Sequence, residues 1–168
     1  RGGRTVRTGA GRVYASLNHT WTLESTRELA DGYPLQDFLN GDANGSSGGT
    51  SEHQLNFRTG YFKNGVGARL QVDWQSGTDV SSGDSSSVLS FSDLTTTSLR
   101  LFYSVQETSY LAKNFSLLKG GRFALSVDNL FDERRTVSDQ NGVIPVTYEA
   151  DRIDPEGRVL EISFRKHF

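Results

Sequence analysis

One dipeptide constrains the chain more than any other feature: Asn64-Gly65, set between two stretches of alternating character. Before it, Leu55, Phe57, Thr59 and Tyr61 alternate with Gln54, Asn56, Arg58 and Gly60. After it, Val66, Ala68, Leu70, Val72 and Trp74 alternate with Gly67, Arg69, Gln71, Asp73 and Gln75. A two-residue type I′ turn needs positive φ at both central positions, and Asn-Gly supplies it. The turn predicts a register in which Lys63 faces Val66, Tyr61 faces Ala68, Phe57 faces Val72 and Leu55 faces Trp74. Apolar side chains then meet apolar partners, a match that a one-residue slip destroys.

The same period-2 pattern recurs along the chain. A first strand is expected over 12–24, with Val13, Ala15, Leu17, His19, Trp21 and Leu23 on one face. Another is expected over 95–106, with Leu99, Leu101, Tyr103 and Val105 aligned and Phe102 as the exception. A fifth spans 122–130 through Phe123, Leu125 and Val127, and a last spans 157–168 through Leu160, Ile162, Phe164 and Phe168. The fold class is therefore all-β, an antiparallel meander of about six strands. Segments 25–51, 76–92 and 131–156 read as long polar connections, and 107–121 as a moderate one. Gly41–Gly49 is a flexible loop by composition. A short turn of structure fits within 32–39.

Composition narrows the function classes. The 168 residues carry a net charge of −2 and a pI of about 5.9, without a Lys/Arg run, so no nucleic-acid partner is indicated. There is no Cys, which excludes disulfide scaffolds, Cys-ligated zinc and thiol catalysis. No apolar run approaches the roughly 20 residues of a membrane-spanning helix. A low mean hydropathy still suits a membrane barrel, whose strands are apolar on one face only. The sequence starts at Arg1 with neither Met nor a signal peptide, and the expectation is a fragment or processed piece.

Three patterns favour transmembrane strands over a soluble sandwich. Connection lengths alternate so that the three long ones share one end, as extracellular loops of outer-membrane barrels do. Trp21 and Trp74 fall near the outer ends of their strands, with Tyr61 and Phe168 near the inner ends, matching aromatic girdles. The opposite face carries Arg58, Arg69, Gln71, Asp73, Arg100, Asp128, Glu161 and Arg165, which suits a wet lumen and equally the solvent face of any antiparallel sheet. Six strands leave two open edges, which lipid does not tolerate, so a larger barrel or an oligomer is expected.

The run Val127-Asp128-Asn129-Leu130-Phe131-Asp132, then Gly142, Pro145 and Tyr148, then Asp154-Pro155-Glu156-Gly157-Arg158 and the ending Ser163-Phe164-Arg165-Lys166-His167-Phe168, resembles the C-terminal signature of TonB-dependent receptors. Lys166 stands where an aromatic is common. The match is specific over 129–168; upstream only pattern and loop style agree. The resemblance implies the C-terminal strands of a 22-stranded, plugged outer-membrane barrel in a Gram-negative bacterium. Residues 1–168 would be partial barrel, without the plug or the box that contacts TonB. Leu160, Ile162, Phe164 and Phe168 would form the signal read by the barrel-assembly machinery. Expected partners are outer-membrane lipid, that machinery, the TonB complex through the missing N-terminal part, and a small nutrient ligand. An iron–siderophore complex is the commonest ligand for the family, with glycans, cobalamin and peptides open.

The chemistry-bearing residues do not assemble a catalytic motif in sequence, and no enzyme is expected. His19, His53 and His167 read as isolated surface histidines far apart along the strands, without a triad arrangement. Asp42-Ala43-Asn44-Gly45 and Asp139-Gln140-Asn141-Gly142 resemble calcium-loop fragments, but both lack the full ligand spacing and distal Glu; Asx-turns explain them better. No cofactor or metal is called for. Tyr33, Phe38 and Phe91 lie in the outer loops, where they stack on a ligand or pack against their own loop. Arg58, Arg69 and Arg100 face the predicted lumen, where they guide an anion or pair with acids of a plug or with Asp73; the structural role is favoured. The competing functions are a passive porin or barrel anchor, a soluble β-sandwich binding module such as a carbohydrate binder, and, last, a barrel enzyme.

Overall fold

The computed structural model describes residues 2–9, 11–28, 30–42, 48–81, 88–106, 109–154 and 156–166. The strands are β1 (Gly2–Thr8), β2 (Gly11–Trp21), β3 (Thr26–Arg27), β4 (Gln36–Asp37), β5 (His53–Lys63), β6 (Val66–Gln75), β7 (Thr78–Ser81), β8 (Val88–Phe91), β9 (Leu94–Ser104), β10 (Gly121–Asp128), β11 (Val137–Asp139) and β12 (Val159–Lys166). Two short helices, α1 (Tyr110–Asn114) and α2 (Ala150–Ile153), lie in connections.

The main sheet has seven strands in the order β1-β2-β5-β6-β9-β10-β12, every neighbouring pair antiparallel. The expected hairpin register holds: Lys63 pairs with Val66, Tyr61 with Ala68, Phe57 with Val72 and Leu55 with Trp74. Asn64 and Gly65 take φ of 49° and 84°, the positive values the turn demands. The six-strand expectation is corrected to seven. Gly2–Thr8 pairs along β2 from Gly2↔Leu17 to Thr8↔Gly11. Its Gly/Thr/Arg composition carries almost no apolar alternation, so the pairing comes from β2's otherwise free edge. The sheet is open, with β1 and β12 at its edges.

All three long connections leave the same end of this sheet. They are not the featureless loops their composition suggests. β7 and β8 form within the second and β11 within the third, giving a three-stranded sheet β11-β8-β7. Val80, Phe91 and Val137 make its core, with Phe38, Leu89, Tyr148 and Ile153 packed against it. Phe38 comes from the first connection, so all three contribute to one cap. Backbone bonds tie it further: Ser81 donates to the carbonyl of Gly41 at 2.8 Å, and Ser92 to that of Thr136 at 2.9 Å. Phe91 meets Tyr148 edge-on, with ring centroids 5.7 Å apart.

Candidate functional site

Strand pleating sends alternate side chains to opposite faces of the main sheet. One face carries Val13, Leu17, Trp21, Leu55, Phe57, Tyr61, Leu101 and Ile162, all of them substantially exposed. Ile162 is 77% exposed and Trp21 58%. A soluble one-sided sheet buries its apolar face and wets the polar one. Here the apolar face has no covering layer among the described residues, and a shallow depression of about 440 Å³ lies on it over Ala68. At its long-connection end, two indoles are anchored alike. Trp21 Nε1 donates to Glu52 Oε1 at 3.1 Å, and Trp74 Nε1 to Asp93 Oδ2 at 3.1 Å. At its short-turn end, Phe123 and Phe164 are cross-strand partners with ring centroids 4.7 Å apart.

The polar face carries the predicted charged residues. Arg69 pairs across the strands with Arg100, and Arg58 with Gln71. Asp73 is engaged by amides and not by arginine: Asn56 Nδ2 donates to its Oδ1, and Gln71 Nε2 to its Oδ2 at 2.6 Å. Among the described residues no carboxylate lies within ion-pair distance of Arg58, Arg69 or Arg100. Near the long-connection end, Asn18, Thr20, Gln54, Asn56, Asp73 and Gln75 line a cavity of about 230 Å³. Asn18 Oδ1 is buried there without a hydrogen-bond partner.

Phe102 interrupts the alternation for a steric reason. It sits on the polar face opposite Gly67, and only 8% of it is exposed. A Cβ at Gly67 would run into its ring, so glycine leaves the shelf on which the ring lies. The guanidiniums of Arg122 and Arg69 cover it, 4.2 and 5.6 Å from the ring centroid. Tyr14 lies over Gly60 in the same way. An aromatic ring laid over a cross-strand glycine pins register where the glycine alone would leave it loose.

The three loop aromatics are not brought together as a ligand platform. Phe91, 3% exposed, is in the cap core and Phe38 packs against it, while Tyr33 is 64% exposed. Phe38 and Phe91 therefore pack in the cap, against residues from the other long connections as well as their own. Of the predicted C-terminal signal, Leu160, Ile162 and Phe164 lie on β12, with Leu160 opposite Val127 and Ile162 opposite Leu125; Phe168 and His167 lie outside the described residues.

The two stretches of the C-terminal motif do meet. Asn129, at φ 51°, accepts from the Glu133 amide at 3.0 Å and donates from Nδ2 to the Glu133 carbonyl at 2.8 Å. Asp132 Oδ1 accepts from the Arg158 amide at 2.9 Å. Gly157 takes φ of +56° beside it, and a Cβ there would meet the Arg134 guanidinium at 2.6 Å. Asp139 behaves as an Asx-turn residue, its Oδ1 accepting from the amides of Asn141 and Val143 at 2.8 Å. These bonds, Val143 first, hold its carboxyl below the ordinary value. Asp37 is lowered mainly by the Asn40 side chain. Burial lowers the Arg135 guanidinium, with Asp93 opposing. Of the Asp42–Gly45 stretch only Asp42 is among the described residues, and its Oδ2 accepts from the Asp37 amide at 2.8 Å.

The expectation of separated histidines is corrected. His19 Nε2 and His53 Nδ1 are 3.2 Å apart, with ring centroids at 5.3 Å. Register explains it: His53 pairs with Trp21, one same-face step from His19. The pairing of β2 with β5 spans the first long connection, so the spacing of the two residues in sequence gives no sign of it.

No family model, curated protein or solved structure matches the chain.

Proposed function

We propose that this chain forms part of the wall and outer loops of a TonB-dependent receptor in a Gram-negative outer membrane, serving active uptake of a small nutrient. The observation that carries the reading is the uncovered apolar face of a seven-stranded antiparallel meander. In water that face would cost about 25 cal/mol for each Å² left exposed, and lipid removes the cost. Collection of the long connections at one end supports it, because outer-membrane barrels put long loops outside and short turns within. Trp21 and Trp74 would then mark the outer interface, each indole apolar in body and tied to a carboxylate at its polar edge. The open edges at β1 and β12 belong beside further strands of a 22-stranded barrel.

In this reading the polar face lines a plugged lumen. Arg58, Arg69 and Arg100 offer charge to acids of a plug or to an anionic solute, and the amide-lined cavity lies beneath the loops. Leu160, Ile162 and Phe164 present the apolar side of the strand that the assembly machinery reads. The chain itself carries wall and loops, without catalysis. The motif from Asn129 to Arg158 supports the family, since its two halves are joined through Asp132.

The coding sequence upstream of Arg1 tests this. The expected finding is a signal peptide, a compact plug with a TonB-contacting box, and many more alternating strands. Further strands without a plug would replace the energised receptor by a passive porin. Unrelated sequence would overturn the reading.

A further inference from the structure

The histidine pair on the apolar face brings two ring nitrogens within hydrogen-bond distance of each other, close enough for one cation to take the place of the shared proton. Two metal–nitrogen bonds of about 2.1 Å at a near-tetrahedral angle put the nitrogens about 3.4 Å apart. His19 Nε2 and His53 Nδ1 stand 3.2 Å apart, on adjacent paired strands that fix both backbones. The remaining ring nitrogen of His53 has a carboxylate nearby: Nε2 lies 3.8 Å from Glu52 Oε1, beyond hydrogen-bond length but within reach of a small side-chain rotation. That oxygen is itself held by Trp21 Nε1 at 3.1 Å. Ligating histidines commonly turn their second N–H to a carboxylate, which fixes the tautomer and strengthens the donor.

We infer that His19 and His53 form a binding site for a divalent transition cation, with Glu52 and Trp21 as positioning residues. Imidazole donors suit copper, zinc and nickel, and copper heads the affinity order. Among the described residues no three His, Cys, Asp or Glu side chains are grouped to hold a metal. The site is therefore a two-imidazole chelate, with water completing the coordination. It sits at the long-connection end of β2 and β5, beside the indole of Trp21, whose ring centroid is 5.7 Å from that of His53. The inference stands on this local geometry, whatever medium the apolar face meets.

The test is titration of the full chain, folded in detergent micelles, with Cu(II) alone. Electron paramagnetic resonance should show two equivalent-class nitrogens, saturating at one copper per chain, with quenching of tryptophan emission. His19→Ala and His53→Ala should each reduce the signature to a single nitrogen and weaken binding, while His167→Ala should change neither. Glu52→Gln should keep both nitrogens and weaken binding about tenfold. A wild-type spectrum with one coupled nitrogen, or none, would overturn the site whatever the variants do. So would a two-nitrogen signal that survives His19→Ala or disappears with His167→Ala.

Discussion

The carboxylate of Asp132 accepts a hydrogen bond from the backbone amide of Arg158, 2.9 Å away, joining the end of β10 to the start of β12 across the third long connection. Arg134 completes the clasp, its Nη2 3.8 Å from the same oxygen. Asp132→Ala removes the acceptor while leaving the strands intact. The expected cost is about 1–3 kcal/mol for a charge-assisted bond, read as a lower midpoint of denaturation in detergent. Gly157→Ala should cost more than Asp132→Ala, because it forces a Cβ at positive φ against both partners.

Gly67 and Phe102 predict a size-dependent effect on the polar face. Gly67→Val should displace the Phe102 ring and strip it from Arg122 and Arg69, costing about 1–3 kcal/mol by overpacking. Phe102→Leu in the same background should recover part of that loss. The double-mutant cycle checks it, and additive effects would contradict the contact.

The Asx-turns predict an acid-sensitive cap. Asp37 and Asp139 have lowered carboxyl pKa values in the folded chain. Their stabilising effect is complete above the ordinary value of 3.8 and is lost as pH falls through the lower folded value. Protection factors at Leu39, Asn40, Asn141 and Val143, taken against the intrinsic exchange rate at each pH, should therefore fall below about pH 4, ahead of those in the β5–β6 hairpin.

How much of this was legible follows from how local each determinant is. The β5–β6 register was readable because Asn64-Gly65 sets it within a few residues. The alternation of β2, β6 and β12 was readable because each strand carries its own apolar set. β1 was not, since its residues show little alternation and its pairing depends on β2. The cap was hidden because β7, β8 and β11 are only three or four residues long, the first two in Ser/Gly-rich sequence and the third in a mostly polar connection. Phe102 looked like an exception because its reason, Gly67, lies on another strand. The same holds for His19 and His53, whose contact comes from strand pairing.

Charge placed on the apolar face separates its two sides. In a bilayer-assembled protein, Val72→Arg should hinder assembly by about 2–4 kcal/mol, and Leu70→Asp should hinder it as well. Gln71→Arg, on the polar face between them, should assemble normally. Heat-modifiable mobility in the membrane fraction reads the difference.

The most direct test of the membrane reading uses the absence of Cys from the chain. Single cysteines at successive positions 68–74 and 99–103, each spin-labelled in lipid vesicles, report contact with oxygen in the lipid or with a polar relaxant in water. The account predicts alternation with period 2, with positions 68, 70, 72, 99 and 101 lipid-exposed and 69, 71, 73 and 100 water-exposed. Water exposure on both sets of positions would contradict it.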